Sequence, residues 1–353
     1  MNRHIKKIVS IFKYNNKKMA IISKRIEATS DNKYILFYNP ECIGVTNSVK
    51  ELFDNKNLIE LYELFNKKEI KNIALKIKES GVRKVIFSTM AFGYKSLAET
   101  IYEIDNDIEI DFLWHGSHAL FVNKNEEFFL ESILDLSKRA IVSKIGFIKK
   151  SMYEFYKMKG YNVYFLKNTV NTIKKDRFGV QSDVDNSIKI GLYSSGDRWE
   201  KNTYNQLSAC AMINNSLIDI VPNTSLSKSF CKMMNIKQIS ENLTSSLSRE
   251  ELLKRMSQNN INLYVTFSEC APMIPLESFE VGVPCIIGDN THYFENTELE
   301  NFLVVKSEDN IDEIYDKINL VLKNKEKIMK LYKIWKKQYD NESKKSVRDF
   351  LIT

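Results

Sequence analysis

Short apolar runs and longer stretches with apolar residues at helical spacing alternate along most of this 353-residue chain. The runs are rich in β-branched and aromatic residues and predict strands at 34–38, 84–88, 110–114, 140–142, 162–166, 188–193, 218–221, 262–267 and 285–287. Between them, 49–65, 70–79 and 250–258 place apolar residues on one helical face. Strands alternating with helices predict parallel sheets covered on both faces, an α/β fold. Right-handed crossovers then build doubly wound, Rossmann-like domains. The chain is about twice the length of an ordinary domain, so two are expected.

The stretch 171–186 is polar and charged, holding Lys174, Lys175, Asp176, Arg177, Asp183 and Asp185, and reads as a linker. The expected organisation is a basic extension (1–30), an N-terminal domain (31–175), a C-terminal domain (186–322) and a helical segment (323–353). In the last of these Met329, Tyr332, Trp335 and Tyr339 recur near one face. With 43% hydrophobic and 11% aromatic residues, there is apolar material for two cores.

The net charge of +7 is concentrated in residues 1–25, which carry eight basic side chains and no acidic one. The rest is near neutral, which argues against a nucleic-acid binder. Ile5, Ile8, Val9 and Phe12 lie near one helical face of the basic segment. It reads either as an amphipathic helix for an anionic membrane surface, or as an arm that is solvated or packed on the domain.

Cys42, Cys210, Cys231, Cys270 and Cys285 are irregularly spaced, and the four histidines offer little for a zinc site. Free thiols fit a reducing cytosol. No apolar run reaches the roughly 18 residues of a membrane span, and the N-terminus lacks a signal-peptide core. The expectation is a cytoplasmic protein, peripheral on the inner face of the cell membrane if residues 1–25 dock there.

The chemistry concentrates between Leu263 and Gly288. An apolar run leads to Ser268 and Glu269, then a loop with Pro272 and Pro275, a short helix over 275–281 ending at Gly282, and Pro284 before the next strand. Three of the five prolines lie in this segment, so the loop is tightly shaped. In open α/β sheets, a loop after a parallel strand that feeds a helix is where ligands bind. The helix-start N–H groups of Met273, Ile274 and Leu276, beside Pro275, can hold a diphosphate. Glu277 can take a ribose diol and Glu269 can reach sugar hydroxyls. Eight-residue spacing of two glutamates carries little by itself. A first-turn acid answering the helix dipole is the plain reading of Glu277, and a solvated loop residue that of Glu269.

Glu269-x7-Glu277, preceded by Ser268 and followed by Gly282-Val283-Pro284, resembles the EX7E signature of retaining GT-B glycosyltransferases of family 4. Phe279-Glu280-Val281-Gly282-Val283-Pro284 stands where the family has Ala-x-Ala-x-Gly-x-Pro, the pattern of a divergent member. The resemblance implies two Rossmann-like domains facing across a cleft, acceptor domain first and donor domain second. The C-terminal helix is a candidate to pack back on the first domain. The strand 188–193 followed by Gly196, Arg198 and Lys201 resembles the family's diphosphate clamp. His115, after the strand 110–114, resembles its strand-end histidine, with His118 a competitor. Gly44 is the one candidate for its glycine-rich loop, and Ser143 and Asn168 match its strand-end landmarks.

The implied activity is retaining transfer of a sugar from a nucleoside diphosphate, UDP first, to a hydroxyl on a glycan, lipid-linked or protein-linked acceptor in surface glycan synthesis. Arg198, Lys201, Glu269 and His115 would be catalytic. Glu277, Gly196, Met273, Ile274, Pro275, Leu276 and Gly44 would bind donor. No metal or other cofactor is implied, and Asp105-Asn106-Asp107, which has DxD form, reads as surface charge. A non-catalytic accessory protein of the same fold and a nucleotide-sugar epimerase are the alternatives.

Overall fold

In the computed structural model the described residues are 20–29, 34–173, 187–194, 196, 198–239 and 247–352. Most of the basic segment 1–25 and of the expected linker therefore lies outside the described residues. The chain forms two compact units, Met1–Lys167 together with Lys345–Thr353, and Asn168–Lys344.

In the first unit, helix α1 (20–28) buries Ile22 and Ile26 in the core. There follow β1 (Ile35–Tyr38), α2 (Ile43–Leu52), β2 (Leu58–Glu60), α3 (Lys67–Glu79), β3 (Lys84–Ser88), α4 (Tyr94–Ile104), β4 (Glu109–Trp114), α5 (Lys124–Lys138), β5 (Lys144–Phe147), α6 (Lys150–Met158) and β6 (Val163–Phe165). The sheet order is β2-β1-β3-β4-β5-β6, every pair parallel. All of β3 is buried, as a strand covered by helices on both faces must be. Helix α3 shows how the sequence writes such a helix. Asn66 caps it, its side chain accepting from the Lys68 N–H. Glu69 lies in the first turn and Lys76 and Lys78 in the last, while Ile70, Ile73, Ala74 and Ile77 make the buried stripe.

The second unit holds β7 (Ile188–Tyr193), α7 (Thr203–Ala211), β8 (Ser216–Val221), α8 (Ser225–Met233), α9 (Arg249–Met256), β9 (Ile261–Tyr264), α10 (Met273–Glu280), β10 (Cys285–Gly288), α11 (Glu298–Leu303), β11 (Val304–Val305) and most of α12 (Ile311–Ile352). Its order is β11-β10-β9-β7-β8, again parallel throughout. The apolar face expected of the C-terminal segment packs here. Tyr332 stacks on Phe279 at 4.1 Å, and Trp335 and Tyr339 pack around Tyr293. The helix starts earlier than expected and is broken at Asn324.

Other expectations are corrected. The helix read over 49–65 ends at Leu52, and β2 lies inside it, because two strand-facing residues are too short a signal to outvote helical periodicity. The strand expected at 140–142 is a turn. Ala140 has φ 56, and the Ile141 and Val142 N–H groups both donate back to the Leu136 carbonyl, closing α5. The strand begins instead at Lys144. Two-residue β11 left no readable run. Asp105–Asp107 forms the α4–β4 turn, with the Asp107 N–H donating to Asp105 Oδ1 at 3.2 Å, at the N-terminal edge of the strands.

Candidate functional site

In the second unit β7 lies between β8 and β9, so the chain leaves β7 toward one side and reaches β9 on the other. The loops after these two strands diverge, and the crevice outside their carboxyl ends is the ligand position of an open α/β sheet. Both expected catalytic loops arise there. The β7 loop turns at Gly196 (φ 115), a left-handed position with open space beside it. It then passes Arg198 and makes a single 3-10 turn, Trp199–Lys201. The β9 loop carries Glu269 and enters α10.

Lys201 is almost fully buried, and its ammonium donates to Glu269 Oε1. Glu269 Oε1 also accepts from the Tyr264 hydroxyl at 2.8 Å. Burial, and next the Glu269 carboxylate, hold the Tyr264 phenol well above its ordinary pKa, so it remains a donor. Arg198 is half-exposed and pairs with Glu200 at 3.0 Å. The two backbones are tied as well, with the Phe267 N–H donating to the Glu200 carbonyl at 2.8 Å.

Helix α10 begins at Met273, two residues before the expected start, with Pro272 at the cap position and no side chain capping it. Pro275 is the third residue, still within the turn whose N–H groups have no helical partner, so the ring costs no hydrogen bond. Met273 and Ile274 are partly exposed, while Pro275 and Leu276 are buried and serve as packing. Glu277, expected one turn into the helix, is its fifth residue. Its carboxylate is nearly buried and accepts from Arg249 Nε at 2.7 Å. Tyr293 is buried beside this loop and donates to the Pro272 carbonyl at 3.1 Å. Burial raises its pKa well above the usual range, with Glu269 and then Glu277 adding to the rise.

Arg249 and Tyr293 escaped sequence reading. Arg249 did leave a trace. It is the first residue of α9, inside the Ser248–Glu251 capping box, where a cation opposes the helix dipole and so needs another partner. Tyr293 is one aromatic among many and left none.

The first unit places the other candidates. His115 follows β4, and its Nε2 lies 2.9 Å from the Ser88 hydroxyl at the end of β3. Burial lowers its pKa to about 3, so the ring is neutral at physiological pH. His118 opens a 3-10 turn, 3.1 Å from the Tyr156 hydroxyl and edge-on to Phe121 and Phe155. Gly44 is not in a loop: it is the second residue of α2, with open space where a side chain would project.

The class this fold defines is GT-B, two Rossmann-like α/β units. Residues 174–338 match the family described as glycosyl transferases group 1. Among solved structures, an α,α-trehalose-phosphate synthase (UDP-forming) from Burkholderia vietnamiensis is 11% identical, with a TM-score of 0.61 over 91% of this chain and 98% of that one. Another trehalose-6-phosphate synthase is 9% identical, with a TM-score of 0.66 over 91% and 98%. An E. coli structure of the same group, bound with UDP-2-fluoro glucose, is 9% identical, with a TM-score of 0.56 over 91% and 99%. At these identities the likeness defines the fold. None of the curated protein sequences matches the chain.

Proposed function

We propose that this chain is a retaining glycosyltransferase that moves a sugar from a nucleoside diphosphate, UDP first among candidates, to a hydroxyl acceptor in glycan synthesis. The observation that carries this reading is the Lys201–Glu269 pair at the switch point of the second sheet, on the two loops that flank the start of α10. Lys201 and Arg198 would take the charge that grows on the leaving diphosphate, with the helix-start N–H groups beside them. Glu269 would hold sugar hydroxyls. Glu277, held by Arg249 through Oε1, would take a ribose diol.

In the step, the bond from the anomeric carbon to the diphosphate oxygen breaks, and the acceptor oxygen bonds to the same face of that carbon. The acceptor's proton passes to the leaving phosphate. No carboxylate nucleophile is required, unlike a double-displacement glycosidase. Two protein cations perform the neutralisation, so turnover should survive chelators.

The test is a panel of nucleotide sugars, read by thermal stabilisation, slow hydrolysis and the anomeric configuration of the product. Stabilisation and hydrolysis with one base would support the reading. Epimerised sugar would favour the epimerase alternative. Silence toward every donor would favour the accessory protein. Membrane docking through the basic residues 1–25 belongs to the same proposal. Ile22 and Ile26 are core residues, so flotation with anionic vesicles should compare the full chain with one lacking residues 1–19. Equal binding of both would remove the idea.

A further inference from the structure

One side chain outside the expected motifs touches both loops of the Lys201–Glu269 pair. Gln206 lies on α7 and is 4% exposed. Its Nε2 donates to the carbonyls of Lys201 and Asn202, at 2.9 and 3.1 Å. Its Oε1 accepts from the Val265 N–H at 2.9 Å, on the first residue past β9. Both donor hydrogens and the acceptor are thus used, the carbonyls on one loop and the N–H on the other. Only a side-chain amide supplies donors and an acceptor together at this reach. The Lys201 loop needs such a brace. It is one 3-10 turn followed by Asn202 in the left-handed region (φ 52), so it has little regular structure to fix where the ammonium points.

We infer that Gln206 is a positioning residue of the donor site, setting the distance between the Lys201 and Glu269 loops by clasping both backbones. The inference rests on the glycosyltransferase reading above and names a residue that acts through Lys201. A displacement of about 1 Å at a charge-stabilising group is enough to cost a large factor in rate.

The experiment is a double-mutant cycle on the full chain, with Gln206→Met, Lys201→Ala and the pair, using the donor that the wild-type chain turns over. Gln206→Met keeps length and removes all three hydrogen bonds. It should lower kcat roughly 10- to 100-fold while the donor KM moves by less than about threefold. In the Lys201→Ala background it should cost no more than about a further twofold. Equal losses in both backgrounds, or wild-type kcat in Gln206→Met, would overturn the inference, since a merely structural role is additive. If Gln206→Met does not fold, Gln206→Glu enters the same cycle, because it keeps the acceptor for Val265 and loses the donors to Lys201. If the wild-type chain turns over no nucleotide sugar, the glycosyltransferase reading fails and the role of Gln206 with it.

Discussion

Lys201 is the residue on which the proposed chemistry rests most heavily. It is nearly buried, and what keeps its charge tolerable is Glu269. Replacing Lys201 or Arg198 by Ala should cut turnover about a hundredfold, the cost of losing one preorganised charge-stabilising group, read by initial rates at saturating donor. Asp111 makes a different prediction. It is fully buried in β4 and 3.6 Å from Lys84. Burial, and then Glu109, raise its pKa to about 7 from an ordinary 3.8. Between those values the folded chain holds a proton that the unfolded chain lacks, so stability falls as pH rises through this window and levels off above it. Asp111→Asn removes that dependence. It should melt about 3–6 °C above the wild type at pH 8 and close to it near pH 4. A constant difference across pH would mean that Asp111 does not titrate in this way.

At the scale of elements, the proposed donor site stands on a buried hydrogen-bond chain. The Tyr193 hydroxyl donates to Asp219 at 2.7 Å and accepts from Asn259 at 2.7 Å. Asn259 also donates to Asn262 at 2.8 Å, and Asn262 donates to Ser278 on α10 at 2.7 Å. The chain passes over Gly191 in β7, where a methyl group would collide with Asn262 and Asn259. Gly191→Ala should therefore cost about 1–3 kcal/mol, measured by denaturant unfolding, and should also loosen α10 beside Glu277. Little of this was legible beforehand. Strands β3 and β7 appeared at full length, because runs buried on both faces leave a clear apolar record. β2 and β11 did not, since edge strands of three and two residues are too short to leave an apolar run. The start of α10 moved because a proline fits any position of the first turn, so Pro275 marks a helix start only to within two residues.

On the scale of the whole molecule, the end of the chain belongs to the first unit. Phe350 is fully buried, and its ring meets Gly146 and Tyr164. Lys84 donates to the Leu351 carbonyl at 2.6 Å, and Lys144 lies 3.5 Å from that of Phe350. These two cations sit at the negative end of the last helix, which favours them. Phe350→Ala should cost about 3–5 kcal/mol of the first unit's stability, followed by denaturant unfolding. Donor binding should raise the melting temperature with ligand concentration, as expected of any ligand held by the folded state alone. A flat response to UDP and UDP-sugars would remove the UDP assignment.

The sequence by itself determined the α/β class, most strands, and the loop and short helix that carry Glu269 and Glu277, because burial pattern, prolines and glycine stops are local properties. Tertiary structure alone decided the partners. Lys201 meets Glu269, Arg249 meets Glu277, and Gln206 spans two loops, across separations of 68, 28 and 59 residues. Such pairs form only where a parallel sheet brings distant strand ends side by side, and a one-dimensional pattern holds no record of that distance.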